Sequence, residues 1–493
     1  MSAHPIMWSI GGLDPSGGAG VTRDCIIADT LGVHTCPIAT MVTAQPLVEN
    51  DNNATQVVSP VAIDVFKQQL VSQQATLPAS IKIGALANDE QIDALFPTLV
   101  NIKAKNPTLK VVFDPVVRTT SGLQLSFCSR GAILSLLTYV DIITPNVAEL
   151  SWLAQQDISS RTQATAAAKI LINVGIDAVL IKGGHAHWEP SATDWLIAAN
   201  QKVCFTSPRL KNTTLRGSGC RLASALSAAL AKQHILEDAV CLAKSVLASN
   251  FIDVAEAQSI NNTPVTYHRY LPLVDAPSAL SVYRFPRLLK DNIGLYPIVD
   301  SVEWVKLLLQ TGINVLQLRI KNSSIDISSQ IKEAVLLARD TGCQLFINDY
   351  WQEAIEAGAY GVHLGQEDVE AADLAAIANA GLRLGISTHG YCELARALQL
   401  KPSYIALGHI FATTTKDMPS APQGLERLTE YVKCCGDIPT VAIGGINKER
   451  FLSVAKTAVD GIAVVSAIVK ASAPLQATRD LQGMLLQEPE NVN

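Results

Sequence analysis

Lys182, Asp114, Asn146 and Glu149 stand in short motifs that each close an apolar run, and their side chains suit a phosphate chain. TPNVAEL sets Asn146 and Glu149 three residues apart, a pattern fit for Mg²⁺ and its waters. IKGGH puts Lys182 before two glycines, and FDPVV adds Asp114. RGSGC, residues 216–220, leads into a long Ala- and Leu-rich stretch. Gly217 and Gly219 would there turn several N–H groups toward an anion at a helix start. Each motif has a plainer reading as a helix cap or a turn. Four of them at successive strand ends point instead to a ligand site, because open α/β sheets bind there.

A second glycine-rich run, SIGGLDPSGGAG (9–20), competes for the phosphate. Gly12 and Gly17 have G-x-x-x-x-G spacing, but Gly18 stands where a P-loop needs lysine, and G-x-G-x-x-G is not formed either.

A further cluster lies in the second half. Asn348-Asp349 closes one apolar run and Asp368 follows the next, so two carboxylates could share a hard cation. Taken alone, metal binding and helix capping are both open there. Lys321 ends QLRIK, and Lys416 follows Thr413, Thr414 and Thr415; such lysines and hydroxyls neutralise a multiply charged anion. Gly445 in IGGI and Val465-Ser466 in VVS stand where backbone N–H groups commonly hold a second phosphate.

The elements that must position these groups alternate between strand and helix. IMWSI, VHTCPIATMV, IKIGAL, KVVFDPVV, VDIITPN and DAVLIKGG read as strands of βαβ units. One long helix is expected from just after Gly219 to about Glu256. Pro264, Pro272, Pro277 and Pro286 then interrupt all periodicity. Beyond them LYPIVD, VLQLRIK, CQLFIND, GVHLG, RLGISTH, YIALGHIF, PTVAIGGI and GIAVVSAI give eight strand–helix units, the count of a (β/α)8 barrel. Polar residues gather at their ends: Asp300, Lys321, Asp349, Gln366, His389 and Ser466. The expected fold is α/β throughout, with a first domain at 1–260, a linker at 261–290 and a barrel domain at 291–493.

At 493 residues the chain is long enough for two cores, and 48% hydrophobic content with 5% aromatics suits buried parallel strands under helices. A net charge of −6 without a basic stripe argues against nucleic acid. Ten cysteines without a C-x-x-C pair read as reduced thiols. Neither a signal peptide nor a membrane span is read, so a cytoplasmic protein is expected. The partners would be small molecules; the sequence leaves open whether the chain forms a homo-oligomer.

LYPIVDSVEW, QLRIK, LFINDYW, YGVHLGQED, LRLGISTH, PSYIALGHIF, TTTKDMPSAPQG, TVAIGGI and AVVSAI together strongly resemble thiamine-phosphate synthase. The resemblance runs over nearly all of residues 290–470. It implies coupling of hydroxymethylpyrimidine diphosphate to thiazole phosphate with release of pyrophosphate. By that likeness Gln317, Leu318, Arg319, Ile320 and Lys321 hold the pyrimidine diphosphate with Asn348, Ser387 and the catalytic Lys416. Asp349 and Asp368 carry Mg²⁺, while Thr413, Thr414, Thr415, Gly445, Val465 and Ser466 take the thiazole phosphate. The reaction has dissociative character, so charge neutralisation matters more than a protein nucleophile.

GGLDPSGGAG, TAQ, KIGAL, FDPVV, TPNVAEL, LIKGGH and GSGC resemble the ribokinase-type hydroxymethylpyrimidine/phosphomethylpyrimidine kinases, over about residues 5–255. The likeness implies a ribokinase-like α/β sandwich using Mg²⁺ and ATP, with Gly12, Asp24 and Gln45 on the pyrimidine. Lys182 and Asp114 would lie near the ATP phosphates, Asn146 and Glu149 would organise magnesium, and Gly217, Gly219 and Cys220 would form the anion hole. Cys220 occupies the position of the aspartate base in related sugar kinases. The chain departs from the family in three places. LRGSGCRL replaces T-H-G-T-G-C-T, bringing Leu215, Arg216 and Arg221; Thr120 replaces a lysine; Pro46-Leu47 replaces N-T. The extra arginine could assist ATP or obstruct it.

Two readings follow. In one, the chain is bifunctional: its first half phosphorylates the pyrimidine alcohol twice and its second half consumes the product. In the other, the synthase is active while the first half only binds pyrimidine, performs one phosphorylation, or acts as a pyridoxal-type kinase.

Overall fold

A computed structural model describes residues 4–44, 57–118, 124–210, 215–257, 267–275, 283–288, 293–321, 326–413 and 421–486. The chain divides into two compact units, Met1–Ala276 and Pro277–Asn493.

The first unit is built on a ten-stranded sheet. Its parallel centre consists of β1 (Ile6–Leu13), β2 (His34–Ala44), β4 (Ser80–Ile83), β5 (Lys110–Phe113), β6 (Ile142–Ile143) and β7 (Ala178–Ile181). These are the six runs expected from the sequence. Strands β4 and β7 are buried along their whole length; this explains the unbroken apolar run of β7, while Lys82 in β4 is carried by its ion pair with Asp24. Antiparallel strands extend both edges: β3 (Val57–Pro60) beside β2, and β8 (Ala192–Ala198), β9 (Lys202–Ser207) and β10 (Leu273–Val274) beyond β7.

The long helix expected from Gly219 to Glu256 is two helices, Ser218–Ala231 and Leu236–Ala257. Between them Gln233 adopts a left-handed φ of 61° and turns the chain. Every residue from Arg221 to Ala231 is buried, and the small side chains let this helix lie close under the sheet.

The segment read as a linker carries structure at both ends. Tyr267 is buried, its carbonyl accepts from Ser245 Oγ, and β10 joins the sheet edge. Residues 284–288 lie against the barrel instead. Arg383 Nε donates to Arg287 O at 3.1 Å, Ser403 Oγ donates to Pro286 O at 2.7 Å, and Leu288 enters the barrel core.

The second unit is a closed parallel barrel of eight strands: β11 (Gly294–Val299), β12 (Val315–Leu318), β13 (Gln344–Asn348), β14 (Gly361–Leu364), β15 (Arg383–Thr388), β16 (Tyr404–Gly408), β17 (Thr440–Ile443) and β18 (Gly461–Val464). β18 closes on β11 through Gly294 opposite Gly461. Tyr296, Phe346 and Tyr404 fill its interior with ring centroids 5.0–6.1 Å apart. Among the described residues no helix is long and apolar enough to cross a membrane.

Candidate active sites

In the first unit a cavity of about 530 Å³ opens at the carboxyl ends of the parallel strands. It gathers Asp114, Asn146, Glu149, Lys182, Gly217 and Cys220, which the sequence distributes over a hundred residues. Lys182 Nζ donates to Asp114 Oδ1 at 2.5 Å and stands 3.5 Å from Glu149 Oε2. Burial opposes the Lys182 charge, but these two carboxylates outweigh it and hold the ammonium above its ordinary range. Burial and then Asp114 push the Glu149 carboxyl up, against the pull of Lys182.

Asn146 and Glu149 also cap the helix Val147–Ala154. Asn146 Oδ1 accepts from Glu149 N at 2.8 Å and Glu149 Oε2 accepts from Asn146 N at 2.7 Å. The plainer reading of N-x-x-E is therefore present alongside its place on the cavity wall. Asp114 Oδ2 is buried without a hydrogen-bond partner among the described residues. A Cβ added at Gly219 would lie 3.5 Å from that oxygen and 3.2 Å from Lys182 Nζ, so the glycine turn comes close to both. A carboxylate oxygen left bare beside a helix start fits a bound cation on a phosphate chain.

Asp24, expected on the pyrimidine, lies in a buried polar cluster. Its side chain is fully buried, accepting from Ser9 Oγ at 2.6 Å, Lys82 Nζ at 2.8 Å and Ser224 Oγ at 2.5 Å. With both oxygens so engaged, Asp24 faces the core, and Lys82 reaches the cavity wall in its place. Burial works against the Lys82 charge and Asp24 restores it, leaving the ammonium raised above its usual range. Burial likewise pushes the Cys220 thiol up, with Lys82 pulling the other way, so Cys220 is a thiol at neutral pH.

The two glycine-rich loops that seemed to compete are neighbours. Gly217 has φ +68°, and a Cβ there would meet Gly18 O at 2.5 Å. Gly12 and Gly20 line the same cavity. Arg216 Nη2 reaches Asp14 Oδ2 at 2.9 Å, while Arg221 is buried and donates to Asn250 Oδ1 at 2.6 Å. Burial, and then Arg23, lower Arg221 to about 10, which still leaves it charged at neutrality. Gln45 and Thr120 lie outside the described residues.

Two features are not legible in the sequence: Lys82, within KIGAL, and the buried pair Asp194–Lys244. Asp194 Oδ1 accepts from Gly183 N at 2.8 Å and so fixes the turn after Lys182. Neither partner sits in a short motif.

In the barrel several of the expected residues that the structure describes stand at or just beyond strand ends. Asn348 is buried at the end of β13, and Asp349 follows it with φ +66°, a left-handed backbone held by its N–H on His363 O at 3.0 Å. Asp368 stands in the first turn of Gln366–Ala371, after the neighbouring strand. No group of three or more metal-ligating side chains gathers among the described residues. Two carboxylates that follow adjacent strands suit Mg²⁺, which takes its other ligands from phosphate and water. Gln317 is buried, while Lys321 is exposed just beyond β12. Gly445 has φ +63°, and a Cβ there would lie 2.4 Å from Ala412 O, so this loop presses on the one carrying Thr413. Val465 caps the short helix Ser466–Val469. Thr414, Thr415 and Lys416 lie outside the described residues.

A chain of polar side chains crosses the barrel interior between two of the expected site residues. Gln317 Nε2 donates to Tyr296 OH at 3.2 Å, Tyr296 OH lies 2.8 Å from Tyr404 OH, and Tyr404 OH lies 2.7 Å from His363 Nδ1. His363 Nε2 then lies 2.8 Å from Ser387 Oγ. Burial, and then Arg319, lower His363 to about 3, so the imidazole is neutral. A neutral ring has one N–H, so a Tyr404 hydroxyl donating to Nδ1 leaves Nε2–H to donate to Ser387. In that tautomer the Ser387 hydroxyl keeps its own hydrogen for another acceptor.

Two family models match the chain: phosphomethylpyrimidine kinase over residues 14–265 and thiamine monophosphate synthase over residues 295–468. The thiamine-phosphate synthase of Enterobacter sp. (strain 638) is 58% identical over 191 residues, 38% of this chain and 90% of that relative. Among solved structures, pyridoxal kinase from Staphylococcus aureus with AMP-PCP and pyridoxal aligns at 24% identity and a TM-score of 0.48, covering 56% of this chain and 98% of that one. A phosphomethylpyrimidine kinase from Clostridium difficile 630 aligns at 25% identity and a TM-score of 0.41, covering 52% and 100%. The kinase match spans more than half of the chain and the synthase relative is matched over nine tenths of its length, so the chain belongs to the phosphomethylpyrimidine kinase family through its first unit and to the thiamine-phosphate synthases through its second, as a bifunctional enzyme of thiamine biosynthesis.

Proposed function

We propose that the first unit transfers phosphate from ATP to hydroxymethylpyrimidine and then to its monophosphate, and that the second couples the diphosphate to thiazole phosphate. The observation that carries the kinase reading is the bare Asp114 Oδ2 beside Lys182 and the Gly217–Gly219 helix start. Bound Mg²⁺ would supply charge neutralisation on the ATP phosphates, with Asp114 and Glu149 as the protein groups nearest it in role. Lys182 draws off negative charge and Gly217 and Gly219 present N–H groups to the moving phosphoryl group. Cys220, protonated at neutrality, is suited to orient the acceptor hydroxyl. A loose transition state asks little of a base.

In the barrel, the QLRIK residues, Asn348, Ser387 and Lys416 would hold the diphosphate, and Asp349 and Asp368 would hold the Mg²⁺ that screens it. The C–O bond to pyrophosphate breaks with its electron pair leaving on oxygen. The thiazole nitrogen then gives its lone pair to the methylene carbon on the pyrimidine that lost the pyrophosphate, forming the C–N bond. Ser387, aimed by His363, contributes a hydrogen bond as charge builds on the leaving oxygen. Thr413, Thr415, Gly445, Val465 and Ser466 would take the thiazole phosphate on the far side. The small-molecule substrates and ten cysteines outside any disulfide suit a cytoplasmic enzyme.

Incubating the intact chain with Mg-ATP and either the alcohol or its monophosphate tests the kinase half. ADP release from both is expected. ADP from neither would leave the first unit a pyrimidine-binding module, and ADP from one alone would leave a single phosphorylation.

A further inference from the structure

We propose that Arg216, steered by Asp14, is the residue that admits a phosphorylated acceptor, and that it thereby controls the second of the two phosphorylations. The inference rests on the kinase reading above and concerns one of the chain's departures from its family.

The glycine turn has two ends with different neighbours. Gly219 approaches Lys182 and Asp114, the nucleotide side, whereas Gly217 packs against Gly18 O in the opening loop. Arg216 is on the Gly217 side, and a Cβ at Gly18 would lie 3.1 Å from its Cδ. Arg216, Gly12, Gly20 and Met41 line the cavity there. An acceptor bound against the opening loop must reach across this junction to the phosphate in the glycine turn.

Asp14 is held by its own loop. Oδ1 accepts from Ser16 N at 3.1 Å and Ser16 Oγ at 2.8 Å, and Oδ2 accepts from Ala19 N at 3.1 Å. A carboxylate fixed in this way sets the direction of the guanidinium that meets it at 2.9 Å. Both side chains are largely buried, 18% and 4% exposed, so the pair is screened little by water.

The two transfers make different demands. In each, the γ-phosphorus parts from the β,γ-bridging oxygen, whose electron pair leaves with ADP. In the first, the new P–O bond forms to a neutral hydroxymethyl oxygen that the Cys220 thiol orients, and its proton passes to water. In the second, the attacking atom is an oxygen of a phosphomonoester already ionised near neutral pH, so no proton need move. The difficulty there is bringing two anions together. A guanidinium at the junction answers it, because its planar fork matches a phosphate and it stays charged.

The test uses the full chain with thiazole phosphate omitted, measuring ADP release from the alcohol and from the monophosphate. Arg216→Gln is expected to lower kcat/KM for the monophosphate by about thirtyfold or more and for the alcohol by less than about fivefold. Asp14→Asn should shift the ratio the same way by less, and Arg216→Lys should recover part of it. Cys220→Ala should shift the ratio in the opposite direction. Equal losses on both substrates, or an unchanged ratio in Arg216→Gln, would overturn the proposal while the kinase reading stands. Absence of ADP from both substrates in the unaltered chain would overturn the two together.

Discussion

His363 Nε2 lies 2.8 Å from Ser387 Oγ, and the other ring nitrogen lies 2.7 Å from Tyr404 OH. The imidazole is thus a link between the barrel's aromatic interior and Ser387 in β15. Tyr404→Phe breaks that link without changing the ring that fills the core. It is expected to lower the coupling kcat by about tenfold, from the loss of one oriented hydrogen bond, with little change in KM for thiazole phosphate. Steady-state coupling with supplied diphosphate checks this. Unaltered kcat would mean Ser387 is oriented without the relay.

The same histidine gives a pH signature. Its pKa falls from an ordinary 6.5 to about 3 in the folded barrel, so between these values the unfolded chain binds a proton the folded one refuses. Stability of the second unit should therefore fall as the pH drops below about 6.5, with a slope near 1.4 kcal/mol per pH unit from this group. His363→Gln should flatten that slope, as read by denaturant midpoints at pH 7 and pH 5.

Asp114→Asn keeps the shape of the kinase site while removing the charge between Lys182 and the glycine turn. ADP release is expected to fall by about a hundredfold or more, whereas coupling of supplied diphosphate should be unchanged. A fall of less than threefold would remove Asp114 from the phosphate site.

Asp24 yields a prediction opposite to its expected role as a ring-reading residue. Asp24→Ala would strand the Lys82 ammonium in the core and should destabilise the first unit by about 3–5 kcal/mol. The thermal midpoint of that unit is the measurement. A raised KM for the pyrimidine with stability intact would restore Asp24 to direct contact.

Much of this architecture was legible because parallel strands buried on both faces leave unbroken apolar runs, as DAVLIKGG and GIAVVSAI do. The antiparallel edges were not, since β8 and β9 mix Thr, Asp, Lys and Ser among their apolar residues. Residues at motif ends, such as Lys182 and Asn348, could be placed by the strand-end rule. Asp24 could not, because its partner Lys82 lies 58 residues away and only packing reveals which way the carboxylate faces. The Tyr296–Tyr404–His363 relay was hidden for the same reason. Its members sit in the strands themselves, where they read as core.

The most direct test of the account is stoichiometry in the intact chain. Supplied with Mg-ATP, unphosphorylated hydroxymethylpyrimidine and thiazole phosphate, it should release two ADP and one pyrophosphate for each thiamine phosphate formed. Thiamine phosphate appearing only when the diphosphate is added ready-made would contradict it.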